Sequence, residues 1–222
     1  MLTDPAEIEI IQAARQANVR DPNRSRAHFE HIFEDFLAEV DLTGSELLDL
    51  GPGQYDFGVL ARERGADVVA IDYDPAVVAL GRHKGFEVVE DRIQRIGDLG
   101  WDHRFAGIFC KFSLNAFWFA NDLTALDLFI DDMMATAIGD PWGWIAPWNG
   151  VPKKGDWPAS RVEEVLARQA SGFARHGWVG HDLTDAQAVH YGVSGTVANH
   201  ALFLRGVNIP TSVADRPRLP RG

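Results

Sequence analysis

The chain has 222 residues, with 21 Lys plus Arg against 32 Asp plus Glu and a formal net charge of −11. That length suits one large domain, or one domain with an appended cap, and an apolar share of 46% with 24% charged excludes wholly disordered and collagen-like chains. A single cysteine, Cys110, excludes an intrachain disulfide framework and a Cys-rich zinc site, and no apolar run reaches the ~20 residues that span a bilayer.

The N-terminus, MLTDPAEIEI, lacks the basic and apolar regions of a signal peptide, so a cytoplasmic protein is expected. Asp4, Pro5 and Glu7 supply an N-cap, an N1 proline and a capping-box acid for a first helix carrying Ile8 and Ile11. After a turn at Asp21-Pro22-Asn23, Phe29, Ile32, Phe33, Phe36, Leu37 and Val40 recur at helical spacing. They predict an amphipathic second helix lying on a core, and the two helices form an N-terminal helical cap over residues 1–44.

From Glu46 short apolar runs take over: Leu47 to Leu50, Val68 to Ile71, Phe86 to Val89, Phe105 to Phe112 and Trp144 to Ala146. Helical stretches separate several of them, from Phe57 to Arg64, Pro75 to Lys84 and Leu123 to Ala137. Gly65 and Gly85 close the first two, where a left-handed C-cap residue is wanted. Nearly continuous apolar strands alternating with helices predict a parallel sheet covered on both faces. Right-handed crossovers make it a doubly wound, three-layer α/β/α domain, here over residues 45–208. A helix from Arg161 to Arg175 precedes two strand-like runs, near Trp178-Val179 and from Val197 to Leu204. With no helix read between them, an antiparallel pair is expected at one sheet edge. Residues 209–222, rich in Pro and Arg, are expected to form a flexible tail.

The segment that carries chemistry runs from Leu47 to Gly58, LLDLGPGQYDFG, with Asp72 closing the next strand. A glycine-rich turn from strand to helix lets a ligand approach the backbone, and helix N-terminal amides favour negative charge. An acid about 20 residues later, at the end of the second strand, can accept hydrogen bonds from ribose hydroxyls, and Asp72 lies 21 residues after Gly51 (72 − 51). The dinucleotide fingerprint G-x-G-x-x-G requires a third glycine at position 56, which is Asp56.

An acid two residues before G-x-G, with no glycine three later, resembles motif I of the class I S-adenosylmethionine-dependent methyltransferases. The resemblance covers roughly Glu46 to Leu204. It implies a seven-stranded, mostly parallel sheet with a terminal antiparallel strand, and S-adenosyl-L-methionine as cofactor. Gly51, Gly53 and Asp72 carry over as cofactor contacts, and so does Asp49, whose alternative is a strand-end acid bonding turn amides. Asp91 occupies the place of an acid that bonds the adenine amine, with Glu90 as its alternate. One departure stands at the fourth strand, where the family often has Phe-Asp and this chain has Phe105-Ala106. Asp74, before Pro75, reads as the cap of the next helix.

In open α/β sheets ligands sit beyond the carboxyl ends of the strands, so the fourth-strand exit, Lys111 to Trp118 with Asn115, should face the reacting centre. It lacks the Asn/Asp-Pro-Pro-Tyr/Phe signature of many enzymes that methylate exocyclic amines of bases. Together with the acidic charge, this argues against a nucleic-acid substrate. The fifth strand exits into Pro147-Trp148-Asn149-Gly150, the start of a Trp- and Pro-rich stretch that is either a substrate-facing wall or a packed surface loop. Methyl transfer to a hydroxyl needs a base, and of the eight histidines His190, beside Tyr191, is placed first. Arg24 and Arg26 are candidates for a carboxylate, or are solvated.

The expectation is therefore a methyltransferase acting on oxygen or nitrogen of a small-molecule acceptor, with no membrane partner. Two alternatives stay open: an NAD(P)-dependent oxidoreductase, which Asp56 disfavours, and a catalytically silent cofactor-binding protein acting in regulation or interaction. Cys110, inside the fourth strand, reads as a packing residue.

Overall fold

The computed structural model describes residues 4–13, 26–114, 119, 121–146, 158–193 and 201–214. Two helices come first, α1 (Pro5–Ala13) and α2 (Arg26–Phe36). Strands and helices then alternate: β1 (Glu46–Leu50), α3 (Asp56–Glu63), β2 (Asp67–Asp72), α4 (Pro75–His83) and β3 (Glu87–Glu90). A 3-10 helix (Ile93–Leu99) leads to β4 (Phe105–Lys111), α5 (Leu123–Ala135), β5 (Ala137–Ala146) and α6 (Ala159–Arg175). The chain continues through β6 (Val179–Asp182), α7 (Asp185–His190), β7 (Ala201–Arg205) and α8 (Thr211–Ala214).

The strands form one seven-stranded sheet in the order β3-β2-β1-β4-β5-β7-β6. β1 to β5 pair in parallel, and β7 is antiparallel to both of its neighbours. Strand order reverses between β1 and β4, and a doubly wound sheet opens a crevice beyond the carboxyl ends of its strands at that point.

Side chains on the sheet alternate between two cores. Leu47, Phe109 and Trp144 point to the side covered by α2, α3 and α4. Leu48, Leu50, Ile108 and the buried Cys110 point to the side of α5 and α6. The first core is aromatic: Phe57 stacks on Phe109 at 3.9 Å between centroids, and Phe109 on Trp144 at 5.1 Å. α2 belongs to this core. Its Phe29, Ile32, Phe33 and Phe36 are buried, and Arg26 reaches Glu63 on α3 at 2.8 Å. α1 is tied to the end of α4 by an ion pair of Glu7 with Lys84 and by His83 to Asp4 at 3.1 Å.

The structure departs from the sequence reading in four places. A helix does separate β6 from β7: α7 is held by a full capping box between Thr184 and Gln187, a six-residue signal hidden among polar residues. α8 lies inside the expected tail, and its Val213 is fully buried in the α2–α4 core. β5 begins seven residues earlier than its apolar run, because Gly139 and Pro141 dilute the pattern where pairing with β4 slips from Ala137 to Trp142. The 3-10 helix was not read at all; its Ile93 and Ile96 are the buried positions.

Candidate functional site

β1 ends at Leu50 and the chain must swing at once into α3. Gly51 and Gly53 supply φ of 74° and 58°, and Tyr55 follows in the same left-handed region at 66°. For a residue with a side chain that conformation costs roughly 1–2 kcal/mol, and Tyr55 is held there by its ring. The phenol is buried and donates to the Val77 carbonyl at 3.0 Å, and the ring stacks on Phe86 at 5.0 Å. A Cβ on Gly81 would stand 2.1 Å from the Tyr55 oxygen, so the glycine of α4 makes room for this anchor. Burial pushes the phenol up, well above its ordinary value, which keeps it a donor.

Gly51 also abuts the exit of β4. A Cβ there would lie 1.8 Å from Ser113 Oγ, and that hydroxyl donates to the Gly51 carbonyl at 3.2 Å. The turn after β1 and the end of β4 are thus locked together across the switch point. Phe112, between Lys111 and Ser113, takes a φ of 68° as the chain leaves the sheet.

Two recesses flank Gly51. The first, about 240 Å³ with its open mouth counted, is walled by Ile71, Asp72, Tyr73, Ile93 and Ser113. Asp72 Oδ1 accepts from the Asp74 amide at 2.9 Å, and Asp74 in turn caps α4 by accepting from the Ala76 amide at 2.9 Å, as read from the sequence. The second, about 280 Å³ on the same measure, is walled by Asp49, Gln54, Asp56 and Lys111 over the rings of Phe29 and Phe109. The alternation along paired strands explains this grouping. Asp49 is in register with Phe109, and Lys111 is two residues further along the same face. Asp49 is 1% exposed and Lys111 4%, so both charges are inside the protein. The ammonium of Lys111 stands 4.2 Å from the Phe29 ring centroid. Asp56, at the start of α3, has its carboxyl pushed up by burial, against the pull of Lys84 and Lys111. A pyrophosphate approaching this helix end would meet that carboxylate.

Of the sequence candidates, Asp49, Gly51 and Asp72 line the recesses. Gly53 is buried in the turn between them. Asp91 is adjacent through its amide, which donates to the Asp72 carbonyl at 3.2 Å. Its carboxylate accepts from the Arg92 amide at 2.8 Å and pairs with Arg95 at 3.3 Å, and Ile93 occupies the wall instead. Glu90 lies 3.8 Å from Arg82. His190 is on α7, bonded to Asp35 at 3.2 Å and stacked on His31 at 4.0 Å; it does not line either recess. Arg26 is engaged with Glu30 and Glu63. Asn115, Trp148, Asn149 and Arg24 lie outside the described residues.

Sequence reasoning set Lys111 at the start of the fourth-strand exit without giving it a role, and it passed over Tyr73 and Ile93. The signal for Lys111 was present: a lysine closing the apolar run FAGIFCK, in step with Phe109. No cluster of three or more His, Cys, Asp or Glu that could hold a metal occurs among the described residues. No described helix is long and apolar enough to cross a membrane.

The strand order, the reversed β7 and the glycine turn at the switch point define the class I S-adenosylmethionine-dependent methyltransferase fold. No protein-family model matches the chain, and no curated protein matches its sequence. Solved structures do match. A SAM-dependent methyltransferase from Aquifex aeolicus superposes with a TM-score of 0.51 at 17% identity, over 94% of this chain and 100% of that one. A SAM-dependent methyltransferase from Archaeoglobus fulgidus gives 0.51 at 12% identity, over 91% and 100%. Phosphoethanolamine N-methyltransferase 1 of Haemonchus contortus, in complex with phosphoethanolamine and S-adenosylhomocysteine, gives 0.56 at 10% identity. That match covers all of this chain and 52% of the larger enzyme. At such identities the likeness is one of fold.

Proposed function

We propose that the protein binds S-adenosylmethionine across Gly51 and methylates a small-molecule acceptor at oxygen or nitrogen. The observation that carries this reading is the meeting of two unlike recesses at one glycine. The recess of Ile71, Tyr73 and Ile93, with Asp72 at its edge, suits a flat base and a ribose whose hydroxyls donate to a carboxylate. The recess of Asp49, Asp56 and Lys111 suits a charged amino-acid end. When bound, S-adenosylmethionine supplies an electrophilic methyl group on a sulfonium. The chain's own part is to hold that group in line with an acceptor and to exclude water around it. The exit of β4 with Asn115, and the segment holding Trp148 and Asn149, are assigned to the acceptor side. Support for the cofactor also comes from the Haemonchus contortus enzyme, whose structure holds S-adenosylhomocysteine. Asp56, set where a dinucleotide fold has its third glycine, weighs against a nicotinamide cofactor.

Isothermal titration with S-adenosylhomocysteine tests the reading, followed by mass spectrometry of methyl transfer to a panel of phenols, carboxylates and amines. Absence of binding overturns it. Binding without transfer to any acceptor favours the catalytically silent alternative.

A further inference from the structure

We propose that Tyr55 is a positioning residue for the bound ligand: its backbone belongs to the turn after β1, its phenol is fastened to α4, and together they fix how far apart the two recesses lie. The inference rests on the proposed binding of S-adenosylmethionine across Gly51 and extends it to a residue that lines neither recess.

Three observations carry it. Tyr55 stands at the start of α3 in the left-handed region, at a φ of 66°, yet its side chain makes no capping bond to that helix. A strained backbone of this kind persists where its surroundings over-determine it, and here the surroundings belong to other elements. The buried ring stacks on Phe86, just before β3, and its hydroxyl donates to the Val77 carbonyl in the first turn of α4. Second, α4 is the helix into which the Asp72 turn leads: Asp72 accepts from the Asp74 amide, and Asp74 caps α4. One hydroxyl therefore joins the glycine turn at the end of β1 to the turn at the end of β2. Third, burial pushes the phenol up and the charges of Asp49 and Asp72 push it further, which sets the ring behind both acids. Asp49 walls one recess and Asp72 the other. A ligand that fills both recesses gains from its two ends only when their spacing matches its own length. A ligand in one recess is indifferent to that spacing.

The test compares S-adenosylhomocysteine, long enough to span both recesses, with adenosine, which fills one, by calorimetry on the full chain. Tyr55→Phe removes the hydroxyl and keeps the stacked ring. It should weaken S-adenosylhomocysteine by about three- to tenfold, since the tether can impose no more than one neutral hydrogen bond is worth. Adenosine should keep its wild-type affinity, which also reports that the variant is folded. Gly81→Ala reaches the same tether from the other side, because its Cβ would collide with the phenol oxygen while Tyr55 itself is unchanged, and it should produce the same split. The Tyr55→Phe result decides the matter whether or not Gly81→Ala folds. A residue that served stability alone would lower the unfolding midpoint and leave both affinities at the wild-type value, and that result overturns the assignment. So does an equal loss of both ligands in Tyr55→Phe. Failure of wild type to bind S-adenosylhomocysteine refutes the proposed function itself, which is a distinct result.

Discussion

On one side of Gly51 the wall is Ile71, Tyr73 and Ile93 with Asp72 as its acid; on the other, Asp49, Asp56 and Lys111 stand over the rings of Phe29 and Phe109. The first recess can recognise by shape and one carboxylate, and Tyr73, 56% exposed, leaves it open to solvent. The second can recognise by charge, with two of its ionic groups almost wholly buried. Recognition by buried charge is little screened by salt but depends on protonation, whereas an apolar wall is indifferent to pH. One turn therefore separates a site sensitive to ligand shape from a site sensitive to ligand charge, and substitutions on the two sides should have different signatures.

The largest effect should come from the wall they share. Gly51→Ala places a side chain at a φ of 74° and a Cβ 1.8 Å from Ser113 Oγ. The backbone alone should cost about 1–2 kcal/mol, and the collision forces the exit of β4 to move. Urea unfolding should show the stability loss, and calorimetry should show weakened binding of both adenosine and S-adenosylhomocysteine. The double variant Gly51→Ala with Ser113→Gly should recover part of both. If Gly51→Ala weakened one ligand alone, the two recesses would not share this wall.

Next is the nucleoside side. Asp72→Ala should weaken adenosine and S-adenosylhomocysteine by the same factor, about 1.5–3 kcal/mol for a hydrogen bond to a charged acceptor. Asp72→Asn, which keeps an oxygen for the Asp74 amide, separates ligand binding from the turn that leads into α4. An effect confined to S-adenosylhomocysteine would move Asp72 out of the ribose subsite.

The charged side should show itself through pH. Burial raises the Asp56 carboxyl above its ordinary value of 3.8 in the folded chain. The folded state therefore holds this proton more tightly than the unfolded state. Its contribution to stability is fully present below the unfolded value and is lost as pH rises through the folded one. Stability of wild type minus that of Asp56→Asn should thus fall as pH rises above about 4, then level off. Thermal unfolding of the two proteins across pH 3 to 8 measures it. A difference that rose with pH would mean that Lys84 and Lys111 outweigh burial at this carboxyl.

The two sides also differed in how far the sequence disclosed them. That Asp49, Gly51 and Asp72 lie together at the carboxyl ends of β1 and β2 was legible, because a strand-to-helix turn followed by an acid closing the next strand has fixed residue types at fixed spacing along one stretch of chain. The meeting of Lys111 and Phe29 with that turn was not, although the sequence placed Lys111 at the fourth-strand exit and Phe29 on the apolar face of the second helix. They reach the recess through the β1–β4 pairing and the packing of α2, contacts that span many residues and leave no local spacing to count. The same rule divides the fold. Strands buried on both faces read as apolar runs, and β1 and β4 were found almost to the residue. β5 lost its first half to Gly139 and Pro141, and α7 was missed because its signal is a capping box with no apolar stripe.

The smallest effect is expected at His190, the base candidate read from sequence. Its ring is 44% exposed by side chain, stacked on His31 and 3.2 Å from Asp35, while the buried Tyr191 hydroxyl donates to the same carboxylate at 2.9 Å. In His190→Ala, Asp35 keeps Tyr191 as its donor, and the link between α2 and α7 survives. An exposed pair of this kind contributes at most about 1 kcal/mol, so the unfolding midpoint should move little. Affinity for S-adenosylhomocysteine should stay at the wild-type value, because His190 lines neither recess. Methyl transfer, once an acceptor is found, should be unchanged as well. A variant that binds S-adenosylhomocysteine normally and has lost transfer would return His190 to the reacting centre.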